Sequence, residues 1–220
     1  MRLFRIFAIA AMAMLAGASA QAGVVLSNLG ATGLSTSGVS TSSTEQTATV
    51  RNGAGFVIGA NAFTLDSVGL LLQSDLDPTA ISTSVAIYTN NAGKPSTTVV
   101  GTSGAINVDS QKVYQFTFSG GLALSAGQEY WAVVQTGAGV KWFGMTNLAD
   151  PAPQNGSLLT FDRFRQSLDF DTTRTWGNTG VNAYGFSVFG TEAGGAVPEP
   201  AVTSLLCFGG IALIRRRMKK

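Results

Sequence analysis

At 220 residues, with a formal net charge of +2, one cysteine and no histidine, the chain lacks the side chains that several common chemistries need. Without imidazole there is no Ser-His-Asp triad, no histidine general base and no histidine-ligated metal. Cys207 by itself makes neither an intrachain disulfide nor a thiolate zinc site, so a core must hold by burial.

The positive charge is an effect of the two ends. Seven of the 14 basic residues lie there, leaving Arg51, Lys94, Lys112, Lys141, Arg163, Arg165 and Arg174 against 11 acids, a balance of −4 for the interior. Seven scattered bases make no dense basic surface, and nucleic acid is not an expected partner.

Residues 1–22 read as a signal peptide. Arg2 and Arg5 form a positive start, residues 6–15 are apolar, and Ala18-Ser19-Ala20 is a small-x-small cleavage site. Ala20-Gln21-Ala22 has the same shape one step later, which places the mature start at Gln21 or Gly23.

Residues 23–191 then read as one all-β domain, an antiparallel β-sandwich of jelly-roll type. Residues 24–26 open it, and residues 28–49, rich in Ser, Thr and Gly, are expected as a loop or a weakly paired edge. Strands follow at residues 56–58, 63–65 and 68–72, separated by Gly59, Asn61 and Asp66. Val85 and Ile87 alternate with Ser84, Ala86 and Tyr88 in the next strand, which ends in the turn Asn90-Asn91-Ala92-Gly93-Lys94-Pro95. Residues 113–118 have the clearest two-residue period, with Tyr114, Phe116 and Phe118 on one face. Residues 130–134, 142–143, 158–161 and 184–189 complete the strands, and Trp131 is expected inside.

Residues 192–197, with Gly194 and Gly195, are expected as a flexible linker, and residues 198–220 as a tail of three parts. Pro198 and Pro200 hold Glu199 in an extended conformation. An uncharged run over residues 201–214 precedes Arg215, Arg216, Arg217, Lys219 and Lys220. As a helix, about 14 residues at about 1.5 Å each span about 21 Å, less than the roughly 30 Å of a hydrocarbon core. Snorkelling of the basic stems narrows the gap, and the basic cluster, headed by Arg215, Arg216 and Arg217, holds its end on the cytoplasmic face.

Val197-Pro198-Glu199-Pro200, the short apolar helix and Arg215-Arg216-Arg217 together resemble the PEP-CTERM sorting signal of Gram-negative bacteria that secrete exopolysaccharide. The resemblance implies that Pro198, Glu199 and Pro200 are recognised by exosortase, a membrane-embedded cysteine transpeptidase, and covers about the last 25 residues. A second resemblance runs through Asn28-Leu29-Gly30, Gly55-Phe56-Val57-Ile58-Gly59, the strand at residues 68–72, Val85-Ala86-Ile87-Tyr88, Leu124-Ser125-Ala126-Gly127 and Tyr130-Trp131-Ala132-Val133, which is similar to the choice-of-anchor domains. These are secreted bacterial β-sandwiches, and the resemblance implies no catalytic residues.

Three chemistries remain to be weighed. Glycoside hydrolysis needs two carboxyls, and Glu129 with Asp162, Asp169 or Asp171 is the one pairing the interior offers outside its polar stretch and linker. Sugar stacking needs exposed rings, for which Trp142, beside Lys141, and Trp176, between Thr175 and Gly177, are the candidates. Calcium favours carboxylates two apart in an extended segment, as in Asp75-Leu76-Asp77 and Asp169-Phe170-Asp171, although acidic turns explain both. No catalytic residue, metal ligand or cofactor is therefore assigned. The expectation is a non-enzymatic exported protein, held briefly in the inner membrane with its body in the periplasm. It is then passed to the cell surface or extracellular matrix, with a structural or adhesive role in an exopolysaccharide layer. A carbohydrate-binding module is the alternative, and a glycan-active enzyme the third.

Overall fold

Short runs of β-branched and aromatic residues, broken by Gly, Asn and Pro, form strands and no helix among the residues described. In this computed structural model those are residues 23–36, 39–76, 79–145, 151–153, 158–167, 175–178 and 183–193. The expected signal peptide with Ala20 and Ala22, the sorting motif Pro198, Glu199 and Pro200, the tail helix and Arg215, Arg216 and Arg217 lie outside them.

The first strands are β1 (Gly23–Ser27), β2 (Val39–Gln46), β3 (Arg51–Ile58), β4 (Phe63–Ser74) and β5 (Ile81–Asn90). Then come β6 (Pro95–Thr102), β7 (Ile106–Val108), β8 (Lys112–Leu124), β9 (Glu129–Thr136) and β10 (Val140–Met145). The last are β11 (Ala152–Pro153), β12 (Leu159–Ser167), β13 (Trp176–Asn178) and β14 (Phe186–Glu192). They pair antiparallel into two sheets. One has the order β11-β1-β14-β4-β10-β2, with β8 also paired to β4; the other runs β13-β12-β3-β9-β5-β6, with β7 also paired to β5.

The sheets meet through rings contributed by both. Phe56 of β3 lies 6.3 Å from Phe186 of β14, and Trp142 of β10 meets Phe164 of β12 edge-on at 5.8 Å. The expected face of β8 is borne out, since Tyr114, Phe116 and Phe118 are buried while Gln115 and Thr117 are exposed. Two tyrosine hydroxyls brace the turns before their own strands. Tyr114 accepts from Asp109 N at 2.8 Å and Tyr130 from Ser125 N at 3.0 Å, each five residues back. These satisfy backbone groups that a turn leaves unpaired.

Other expectations change in detail. The segments 63–65 and 68–72 are one twelve-residue strand, β4, because a bulge between Leu65 and Ser67 absorbs the intervening Asp66 without breaking the ladder. The polar stretch 28–49 resolves into a loop and the edge strand β2, held by β10. Pro95 opens β6 instead of ending the ladder, a position proline tolerates because it sits first on an edge strand. Glu192, expected in the linker, is the last residue of β14, opposite Phe63. Gly23 pairs with Gly190, so the start of β1 and the end of β14 lie side by side.

Candidate functional site

The outward face of the second sheet carries an unusual set of groups, and β3 makes room for them. Its outward positions include Gly53 and Gly55, two residues apart and therefore on one face. A methyl on Gly55 would meet three ring atoms of Trp131 at 3.0 to 3.1 Å, so glycine is what lets the indole lie against the β3 backbone. Trp131 packs there with Ala86, Tyr88, Val133 and Trp176, forming a second, smaller core on the outside of the sheet.

The turn between β5 and β6 folds back over this cluster. Asn91 N donates to Lys94 O at 2.8 Å, with Ala92 at φ 53° and Gly93 at φ 74°, the left-handed pair of a type I′ hairpin turn. Asn90 Oδ1 accepts from Gly93 N at 3.0 Å, from Lys94 N at 3.1 Å and from the Trp131 indole N–H at 3.1 Å. Arg165 of β12 donates to Gly93 O at 3.1 Å and ties the turn to the far side of the sheet. The turn read from Asn90 to Pro95 is thus present, and its side chains are also part of the site.

Beside the turn a cavity of about 380 Å³ is lined by Val57, Thr89, Asn90, Gln128, Glu129 and Tyr130. Glu129 begins β9 opposite Val57, and its Oε1 is buried without a hydrogen-bond partner. Burial first, and then the Asp162 carboxyl at hydrogen-bonding range, hold Glu129 above its ordinary value of 4.5, against the pull of Arg163 and Arg165. Asp162 is gripped by the Arg163 guanidinium, with Nη2 at 2.7 Å from Oδ1 and Nε on Oδ2.

A pH dependence follows from the raised value. The folded state keeps this proton over a range where the unfolded chain has lost it, so the group's stabilising contribution is complete below 4.5 and is lost as pH rises through the folded value. Glu129→Gln removes that loss. The melting temperature of the variant should therefore rise relative to the wild type as pH goes from about 4 to about 8, and a constant difference across that range would refute the assignment.

Of the residues singled out in the sequence, the structure brings Glu129 and Asp162 together; Asp169 and Asp171 lie outside the described residues. Trp142 corrects its expectation. It is 0 % exposed between the sheets, with its indole N–H on Gly185 O at 2.9 Å, so it offers no face to a sugar. Trp176 is 8 % exposed and packs on the outward cluster. Trp131 is buried as expected, but on the outside of its sheet. Asp75 pairs with Lys141, and among the described residues no three acidic or cysteine side chains gather as a metal site. Asn90 and Gln128 were not identified as site residues. The legible signal was Gly53-x-Gly55, which marks a strand face approached closely by something large.

Compared with family models and with curated proteins, the chain matches none.

Proposed function

We propose that this is an exported protein of the cell surface or extracellular matrix, sorted by its tail, with a structural or adhesive role in an exopolysaccharide layer. The observation that carries the reading is the C-terminal order Val197-Pro198-Glu199-Pro200, apolar run, Arg215-Arg216-Arg217, preceded at the other end of the chain by a leader with cleavage sites at Ala20 and Ala22. Its partners are an exosortase-type processing enzyme, the inner membrane for a time, and exopolysaccharide.

The fold supports it in two ways. Strand order β1-β14-β4-β8 against β3-β9-β5-β6 supports jelly-roll connectivity, an architecture shared by many binding and shell-forming domains. The start of β1 and the end of β14 lie side by side, so a tail held at a membrane and a leader that crosses it make no conflicting demand on the domain.

A carbohydrate-binding module is the second reading, favoured by the cavity beside Glu129. Hydrolysis is the third, and the Glu129–Asp162 contact weighs against it. Glycosidases hold their two carboxyls about 5 to 9.5 Å apart, with the sugar or a water between them.

Replacing Pro198, Glu199 and Pro200 together by alanine tests the sorting reading. The variant should accumulate uncleaved in the inner-membrane fraction while the wild type reaches the surface or medium. Equal release of the two would overturn it, as would a full-length wild-type chain in the cytosol.

A further inference from the structure

We infer that the cavity beside Glu129 binds one neutral, hydroxyl-rich ring of a polysaccharide, with the Glu129 carboxyl and the Asn90 amide as its main hydrogen-bonding groups. The inference rests on the polysaccharide-associated role proposed above and adds to it a place and a ligand chemistry.

Size is the first support. A volume of about 380 Å³ lies at the lower end of small-ligand sites and suits a single sugar ring better than an extended peptide.

Functional groups are the second. Three N–H groups converge on Asn90 Oδ1, which locks the amide and saturates its oxygen. The Asn90 NH₂ makes no hydrogen bond among the described residues, and neither does the side chain of Gln128 at the rim. Glu129 Oε1 is an acceptor with no donor. A hydroxyl both donates and accepts, so one sugar ring can satisfy the carboxyl and an amide at once. Val57, opposite Glu129 on the same face of the sheet, supplies apolar surface for its C–H groups.

Charge is the third. An acidic sugar is disfavoured, since its carboxylate would add to the burial and the Asp162 charge that already oppose ionisation of Glu129. A calcium ion would need six to eight oxygens. With the Asn90 oxygen already taken by three donors, that amide has only its NH₂ left to offer a ligand, which suits a hydroxyl and not a cation.

Affinity electrophoresis of the full chain tests this, in gels cast with dextran, galactomannan or xylan as neutral probes and alginate as the acidic one. At least one neutral polymer should retard the wild type. Glu129→Gln should weaken that retardation about tenfold, the effect of losing one charge-assisted hydrogen bond. Gln128→Trp guards against misfolding as the cause: its side chain is exposed and unbonded, so the variant should melt with the wild type yet lose retardation by filling the cavity mouth. The inference is overturned by a wild type that none of the neutral polymers retards, by retardation on alginate alone, or by both variants binding as the wild type does. A calcium-induced rise in melting temperature that Glu129→Gln abolishes would overturn it in favour of a cation site. Any of these results leaves the sorting reading standing, because that reading is decided by fractionation.

Discussion

Trp142→Ala is expected to lower the unfolding free energy by about 3–5 kcal/mol, a large share of the roughly 5–15 kcal/mol by which an ordinary domain is stable. The indole is 0 % exposed and holds the two sheets in register from β10. It meets Phe164 of β12 edge-on at 5.8 Å and lies 5.3 Å from Tyr184, which itself meets Phe164 edge-on at 5.1 Å. Truncation opens a cavity at that three-ring junction and strips Gly185 O of the indole N–H. Trp142→Phe keeps part of the volume and should lose roughly half as much. Urea unfolding of the three proteins measures the difference. A Trp142→Ala protein that unfolds with the wild type but no longer binds polysaccharide would return this residue to the surface role its sequence context had indicated.

Gly190→Ala should be nearly as damaging, for the opposite reason. Gly190 lies at the bulge of β14 opposite Leu65, and a Cβ there would collide with the Thr64 carbonyl oxygen and the Phe63 ring, reaching the ring's Cε1 at 2.8 Å. The carbonyl cannot swing away cheaply, because β4 is paired on both sides, by β14 and β8. Overpacking against backbone costs about 1–3 kcal/mol and more where nothing can yield. Gly104→Ala is the control: nothing lies within 4 Å of its Cβ, and the change should stay within about 0.5 kcal/mol. Comparable urea midpoints for Gly190→Ala and Gly104→Ala would show that the bulge relaxes around a methyl group.

The errors in reading rings and carboxyls from sequence share a cause. Trp142 beside Lys141 looked superficial because a charge adjoined it. In a strand, however, neighbours point to opposite faces, so Lys141 can reach Asp75 while Trp142 enters the core. Sequence spacing alone does not distinguish Asp162, Asp169 and Asp171 as partners of Glu129. Asp162 was selected by the register of β12 on β3 and of β3 on β9, which sets Thr160 and Glu129 on either side of Val57. Asn90 forms the turn that its residue type predicts. Its second use, holding the Trp131 indole, depends on a contact 41 residues away.

Composition and local pattern alone determined that the chain has no imidazole or interior thiol chemistry, that its interior is built of strands, that residues 90–95 turn, and that its ends resemble an export leader and a sorting tail. These are properties of residue type and of spacing within a few positions, where side-chain direction follows from a two-residue period. The tertiary structure decided which aromatic rings lie between the sheets and which lie outside them, and that Glu129 meets Asp162 beside a cavity walled by Asn90. Alternation assigns each strand two faces but does not say what covers either. Here the turn of β5 and β6 folds back and buries the outward face as well, and that depends on strand register and on contacts distant in sequence.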